Sequence, residues 1–203
     1  MRLSSQSFSE QQRIPGEFAF GVPGQGEPMG FGANRNPQLA WDEVPPGTRS
    51  FALICVDDDV PSVFDDGNQA GRSIAHDLPR IDFIHWVMAD IPSDVREIAA
   101  GSCSDGVVKG GKQAPAGPAG SCQGINDYTG FMGDGDYYGY DGPCPPWNDE
   151  RLHHYHFRVY ALDVPTLSLS GRFTAADLQK AMHGHVLAEA ELTGTYTLNP
   201  AVA

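Results

Sequence analysis

Cations are scarce in this chain: 13 Lys and Arg face 26 Asp and Glu among 203 residues, and the formal net charge is −13. A nucleic-acid surface needs clustered Lys and Arg that release the counterions of the phosphates. The charge balance therefore argues against DNA or RNA as a partner. It does not prevent an acidic protein from holding one small anion locally.

Long apolar segments are also missing. No run reaches the roughly 20 residues that span a bilayer, so we do not expect an integral membrane protein. Residues 1–8 contain no hydrophobic stretch of the kind found in secretion signals, which predicts a cytoplasmic location. Cys55, Cys103, Cys122 and Cys144 show no CxxC spacing and are therefore expected to be free thiols.

The signatures of several common sites are absent as well. Residues 110–113 do not have the Gly spacing or the Ser/Thr of a P-loop, and residues 24–26 do not follow a strand as a dinucleotide fingerprint must. The acidic residues 57–59 are without the spaced ligands of a calcium loop. No G-x-S-x-G elbow of a serine hydrolase occurs, and residues 120–124 supply no base for a thiol protease.

Short apolar runs between Gly and Pro residues are what the chain does contain, and they predict strands. The predicted strands cover residues 50–56, 83–89, 152–162 and 186–197. One helix is signalled late in the chain, where Thr174 and Asp177 form an approximate capping box and Gly184 can close the last turn. This pattern predicts a mainly β, antiparallel architecture in a single domain over residues 1–203.

Two predicted loops interrupt this frame, residues 63–80 and 106–124. Both exceed the about 12 to 15 residues beyond which a connection is usually functional or mobile. Either loop can be a surface excursion without chemistry or a segment that contributes to a site, and the sequence leaves both interpretations open.

Ionisable and aromatic side chains alternate along the third predicted strand. Because residues two apart share a face, His153 and Tyr155 point one way while His154 and His156 point the other. An HxH pair on a strand is a known zinc or copper geometry, although the third ligand would have to come from elsewhere. His85, alone in an apolar strand, is typical of a hydrogen-bonded core histidine. The spacing does not decide which face lines a pocket.

Several blocks in a fixed order resemble the phosphatidylethanolamine-binding protein family, also called Raf-kinase-inhibitor-like proteins. Asp57 begins a D-x-D-x-P segment, and His85 begins an H-W-V-M-A-D-I-P segment. A G-P-C-P-P loop begins at Gly142 and precedes the H-H-Y-H-F strand. The ending, residues 184–196, is similar to that of bacterial members. The resemblance covers nearly the whole chain.

The resemblance implies a large antiparallel Greek-key sheet packed with a second sheet and a few short helices. It also implies a small anion-binding pocket at one edge, with no metal and no cofactor, and it places His153 and Tyr155 rather than His154 and His156 in that pocket. Carried over position by position, the expected site residues are Asp57, Asp59, His85, Gly142, Cys144, Pro145, Pro146, His153 and Tyr155.

The expected function is therefore binding of a small phosphate-like or phosphoethanolamine-like ligand, with a protein partner such as a kinase or protease that responds to it. No activated nucleophile is evident, so we do not expect an enzyme. The alternative is a hydrolase in which Asp57 and His85 perform acid–base chemistry and Cys144 is the nucleophile. A homodimer is compatible with the sequence, since most soluble oligomers are symmetric dimers, but no sequence pattern locates an interface or fixes the association state.

Overall fold

Strands form most of the regular structure in the computed structural model, which describes residues 1–202. Only one α-helix, α1 (Ala175–Met182), is present in this range, with two short 3-10 turns at Gly16–Phe18 and Pro118–Gly120. The strands are β1 (Arg2–Ser4), β2 (Gln12–Arg13), β3 (Gly21–Pro23), β4 (Met29–Phe31), β5 (Leu39–Asp42), β6 (Ser50–Pro61), β7 (Arg80–Pro92), β8 (Glu97–Ile98), β9 (Cys122–Gln123), β10 (His153–Leu162) and β11 (Val186–Tyr196).

A six-stranded sheet in the order β2-β11-β10-β6-β7-β9 organises the molecule. Strands β6, β7 and β9 follow one another as antiparallel neighbours, and β10 then returns to pair with β6. Three consecutive strands and a fourth that returns beside the first make a Greek key. The predicted mainly β, Greek-key architecture is confirmed.

The strand predictions are right in position and too short in two cases. Strand β6 continues from the predicted 50–56 through the D-x-D-x-P segment to Pro61, with register shifts against β7 at Cys55/Val56 and Asp57/Val60. Strand β7 begins before the predicted 83–89 and continues to Pro92. The sheet is also not fully antiparallel, because β2 pairs with β11 in parallel. Pairing with neighbouring strands extends β6 and β7 through Asp and Pro residues, which taken alone predict the end of a strand.

Both faces of the large sheet carry buried apolar residues, although the second face is covered only in part. One face packs against a three-stranded sheet in the order β1-β5-β8, which is the second sheet that the resemblance implies. The shared core of the two sheets includes Leu3, Leu39, Trp41, Ile98, Phe51, Leu53, Trp86 and Phe157. The alternating burial of β10 follows from this packing, since its odd-numbered residues up to Ala161 face the core.

The opposite face of the large sheet is covered by α1. Leu178 and Met182 of the helix pack with Ile54 and Val87 of the sheet. The predicted capping box is present: the Asp177 N–H donates to Thr174 Oγ1 at 3.2 Å, and the Thr174 N–H donates to the Asp177 carboxylate at 2.9 Å. The four cysteines are free thiols, and no helix within residues 1–202 is long and apolar enough to cross a bilayer.

We predict that Thr174→Ala lowers the free energy of unfolding by about 1 kcal/mol, because the Asp177 N–H loses its acceptor and the Asp177 carboxylate loses the Thr174 hydroxyl. Urea denaturation measures the change. Ser170→Ala is the matched control, since Ser170 is exposed and its hydroxyl has no partner in the described structure. Equal stability of the two variants would contradict the role of the cap.

Candidate functional site

A small cavity lies at one end of the large sheet, where three neighbouring strands present polar and aromatic side chains side by side. In the register of the sheet, Tyr155 of β10 faces Asp57 of β6, and Asp57 faces Phe83 of β7. His153 and His85 lie two residues from these positions on the outer two strands, so they share the same face. Sheet pairing thus brings together residues that are up to about a hundred positions apart.

The cavity has a volume of about 30 Å³. A cavity of this size admits small polar groups, and it is partly open to solvent. Its wall is formed by Asp57, Val60, Phe64, Phe83, His85, Tyr128, Phe131, Cys144, Pro145, Pro146, His153 and Tyr155.

His153 lies between two buried carboxylates. Its Nδ1 is 2.7 Å from Oδ2 of Asp57, and its Nε2 is 3.1 Å from Oδ2 of Asp149. A carboxylate only accepts, so both ring nitrogens carry a proton and the ring is an imidazolium. Burial alone would lower the pKa of His153, but the charge of Asp57 and the hydrogen bonds to both carboxylates raise it to about 9.

The charges continue beyond His153 in an alternating row. Asp149 receives two hydrogen bonds from the guanidinium of Arg80, at 2.5 and 3.0 Å. Burial would raise the pKa values of Asp57 and Asp149, yet their pKa values are lowered because each carboxylate bonds to His153. The row Asp57, His153, Asp149, Arg80 is therefore neutral in total, and every charge in it has a partner of opposite sign.

The segment that supplies Asp149 also anchors the long loop before β7. The Asn148 side chain accepts from the Asn68 N–H at 2.8 Å and donates to the carbonyls of Asp66 and Arg72 at 2.8 and 3.2 Å. Arg80 follows this loop directly. The loop that the sequence left without a role is thus tied to the cavity wall, and it supplies Phe64 to that wall.

His85 is fixed by the backbone of a neighbouring loop. Its Nδ1 lies 2.7 Å from the carbonyl oxygen of Asp141, and the Asp141 N–H donates to the carbonyl of His85 at 3.0 Å. No group in residues 1–202 bonds to its Nε2. Burial lowers the pKa of His85 more than the nearby Asp57 raises it, so the unliganded ring is neutral near neutral pH.

Asp141 is held in turn by three side chains from other loops. Its Oδ1 accepts from Asn34 at 2.8 Å and from Lys112 at 2.6 Å, and its Oδ2 accepts from Asn126 at 2.8 Å. Lys112 belongs to the Gly-rich segment that reads only as a turn in the sequence. This network positions the carbonyl that orients His85, and no motif in the sequence signals it.

Tyr155 contributes an unpartnered hydroxyl. The side chain is buried, and its oxygen has no hydrogen-bond partner in the described structure. Burial and the adjacent Asp57 carboxylate raise its pKa well above its usual value, so the hydroxyl stays protonated. A buried hydroxyl without a partner costs free energy, which makes it available to a ligand oxygen.

One side of the cavity is the loop of Cys144, Pro145 and Pro146. The prolines have no N–H and fixed φ angles, so this wall is stiff and donates nothing from their nitrogens. Burial raises the pKa of the Cys144 thiol to about 12. A Cβ at Gly21 would lie 2.4 Å from Cys144 Sγ, which shows how closely the thiol is packed from behind.

Two of the expected site residues do not line the cavity. Asp59 accepts at Oδ2 from His154 Nδ1 at 2.7 Å and pairs with Arg151 at 2.5 Å, while its N–H donates to Asp57 at 2.9 Å. Gly142 lies behind the wall: its carbonyl accepts from Tyr128, and a side chain there would collide with the Phe18 carbonyl at 2.1 Å. Both residues support the wall rather than form it.

The mouth of the cavity is formed by four aromatic rings that the sequence analysis did not predict, those of Phe64, Phe83, Tyr128 and Phe131. Phe131 makes edge-to-face contacts with Phe64 and Phe83 at centroid distances of 5.5 and 5.7 Å. Tyr128 contacts Phe83 and His85 at 5.3 and 5.6 Å. Phe83 could have been found, because it stands two residues before His85 on one strand face. The other rings come from loops, where no periodicity points to them.

His154 and His156 lie on the far face of β10, half-buried and away from the cavity. His156 contacts Glu191 and Asp58 at 3.2 and 3.3 Å. Within residues 1–202, no group of three or more His, Cys, Asp or Glu side chains has the arrangement of a metal site. The two histidines of the HxH pair therefore lie at the surface and contact carboxylates of neighbouring strands.

Comparison with known proteins assigns the chain to a family. The model of the phosphatidylethanolamine-binding protein family matches residues 4–197. The chain belongs to this family. Membership supports a ligand-binding protein and agrees with the resemblance carried by the D-x-D-x-P and G-P-C-P-P blocks.

Two relatives match over almost their whole length. A UPF0098 protein of Methanothermobacter thermautotrophicus is 35% identical over 97% of this chain and 98% of its own. The UPF0098 protein YbhB of Escherichia coli is 30% identical over 97% of this chain and 100% of its own.

Solved structures of family members show the same fold. Escherichia coli YbcL superposes with a TM-score of 0.69 and 27% identity, and the match covers 97% of both chains. A phosphatidylethanolamine-binding protein homolog of Chlamydia trachomatis gives 0.67 and 30%, covering 96% of this chain and 95% of its own.

We predict that stability falls as the pH rises through the folded pKa of His153. The ring holds its proton to about pH 9 in the folded state, whereas the unfolded chain releases it near pH 6.5. The stabilisation from the protonated ring is fully present below the unfolded pKa and is lost above the folded pKa. The free energy of unfolding therefore falls by up to about 3 kcal/mol between these two pH values.

Urea denaturation from about pH 6 to about pH 10 measures this dependence. His153→Gln should flatten it, whereas His76→Gln should not, since His76 is exposed and has no side-chain partner in the described structure. An equally steep pH dependence in His153→Gln would contradict the assignment.

Proposed function

We propose that the protein binds a small phosphate-like group in this cavity and that the ligand is of the phosphoethanolamine type. The observation that carries the proposal is the pair of unpartnered polar groups at the cavity's inner end, Nε2 of His85 and the hydroxyl of Tyr155. Both can bond to oxyanion oxygens once a proton lies between the two partners. Asp57 and His153 form the charged frame behind them.

The aromatic mouth supports an ammonium group next to the phosphate. Phe64, Phe83 and Phe131 present ring faces and edges within a few ångströms of one another. Aromatic faces attract ammonium groups, and a partly desolvated pair contributes on the order of 1 kcal/mol. The acidic character of the whole protein favours the same end of a zwitterionic ligand.

Entry of such a ligand passes between the rings of the aromatic mouth. Phe131 is 52% exposed and comes from a loop, so its rotation opens the cavity without disturbing the sheet. A mouth that closes over a small head group suits a binding protein, because the surface around Phe131 then differs between the filled and the empty cavity.

That surface supports a protein partner. Phe31, Val63, Phe131 and Met132 are large apolar side chains that are at least 40% exposed. Phe131 belongs to the mouth, so a partner that contacts this rim can distinguish the filled from the empty cavity. A kinase or protease as that partner, a homodimer and a cytoplasmic location stay predictions.

The hydrolase alternative is not favoured by the environment of Cys144. A catalytic thiol needs a lowered pKa and an adjacent base, whereas burial raises the pKa of Cys144 to about 12. Asp57 already bonds to the N–H of Asp59 and to His153, and His85 is oriented by a carbonyl rather than by a carboxylate. The binding role is therefore the one we propose.

We predict that phosphoethanolamine shifts the NMR resonances of His85 and Tyr155 near neutral pH. Tyr155→Phe should weaken the affinity about tenfold to a hundredfold, because a hydrogen bond to a charged group is lost. The unfolding free energy should not fall, since the hydroxyl has no protein partner. Tyr160→Phe on the far face of β10 is the control. A titration that shifts no cavity resonance refutes the proposed function.

We also predict that Cys144 of the folded protein reacts with iodoacetamide at pH 7 at least about a hundredfold more slowly than an unperturbed thiol. Peptide mass spectrometry reports the site, and the urea-unfolded protein supplies the reference rate. His85→Ala should not change the rate. Fast alkylation of Cys144 that disappears in His85→Ala would favour the hydrolase instead.

A further inference from the structure

The polar end of the cavity offers a ligand one donor and one acceptor. Tyr155 donates its hydroxyl proton. His85 differs, because its Nδ1 lies 2.7 Å from the Asp141 carbonyl and a carbonyl can only accept. The ring proton is therefore on Nδ1, and Nε2 of the neutral ring presents a lone pair to the cavity.

A lone pair on Nε2 repels the oxygen of a fully ionised anion. The two groups form a hydrogen bond only when a proton lies between them, either on the imidazole or on the ligand. His85 is thus a specificity-determining residue for the charge state of the ligand, quite apart from its shape.

Within residues 1–202, no other cation near the cavity is free to balance an added negative charge. His153 gives one N–H to Asp57 and the other to Asp149, and Arg80 is bidentate on Asp149. An anion that enters without a proton adds its full negative charge beside Asp57, where solvent screens it weakly, and one proton on the ligand or on His85 reduces that charge by one.

The groups around His85 come from several elements, and on balance they favour its protonation once an anion is bound. Burial lowers the pKa of His85, so the ring is neutral before a ligand binds. A bound anion raises the pKa of His85, because it stabilises the protonated ring. The titratable groups that face or lie close to His85 are Asp57 on β6, His153 and Tyr155 on β10, and Asp127, Tyr128, Asp141 and Cys144 on the loops.

We infer that the cavity binds its oxyanion together with one proton, which lies on the hydrogen bond between the ligand and Nε2 of His85. This inference rests on the proposed function. The ligand class is then an oxyanion that arrives singly protonated, such as the monoanion of a phosphate monoester, or one that is fully ionised and draws a proton from solvent onto His85. In both cases the bound state holds one proton more than the separated, fully ionised partners.

Isothermal titration calorimetry in buffers of different ionisation enthalpy counts the protons. Phosphoethanolamine and sulfate are the two probes, because a phosphate monoester can carry the proton below about pH 6 whereas sulfate carries none near neutrality. Above about pH 7 we expect uptake of about one proton with either probe and a tenfold loss of affinity per pH unit. His183→Gln, at an exposed residue, should behave like the unaltered protein.

His85→Gln replaces the titrating ring with an amide whose donor does not depend on pH. Sulfate should bind to this variant with almost no proton uptake and with an affinity that changes less than about twofold per pH unit. Should this variant not fold, Tyr155→Phe decides instead: weaker binding with full proton uptake supports His85 as the proton carrier, and loss of the uptake overturns that assignment.

The outcomes separate this inference from the proposed function. Binding of both probes without proton uptake, or uptake that persists in His85→Gln, overturns the inference and leaves the binding function standing. Absence of any binding to the unaltered protein refutes the proposed function itself.

Discussion

The imidazolium of His153 between Asp57 and Asp149 is the interaction on which the rest of the site depends. It joins β6, β10 and the segment before β10, and through Arg80 it reaches the start of β7. All four charged side chains are buried, so removing any one leaves the row with an unbalanced charge in a medium of low polarity. The cavity is thus built against a rigid wall whose geometry is set by charge pairing rather than by apolar packing.

That pairing also shapes what the cavity can recognise. A row of alternating charges is neutral, and the cationic histidine contributes orientation rather than attraction to a ligand. Selectivity then falls to the few groups left over, the Nε2 of His85 and the Tyr155 hydroxyl, and to the aromatic mouth. The number of positively charged residues near a pocket is therefore a poor guide to its ligand. A cation that is already hydrogen-bonded to carboxylates attracts an anionic ligand only weakly.

Local sequence predicts much of this fold and about half of the site. The four long strands, the Thr174 cap and the burial of His153 and Tyr155 follow from periodicity, capping chemistry and ordered motifs. Asp149, Phe64 and Phe131 do not, because they lie in loops whose course is decided by contacts with distant residues. Asp59 and Gly142 show the reverse case. Their motifs place them near the cavity, but Asp59 bonds to His154 and Gly142 packs against the Phe18 carbonyl, so both lie behind the cavity wall.

The clasp made by Asn148 on the 63–80 loop has a consequence for how such proteins can diverge. One amide binds the backbone of the loop at three points, so the identity of the loop's side chains matters less than its path. Substitutions along the loop can accumulate while the clasp holds, whereas a change of loop length breaks it and withdraws Phe64 from the mouth. A loop grafted onto this chain must therefore follow a backbone path that the Asn148 amide can still bind.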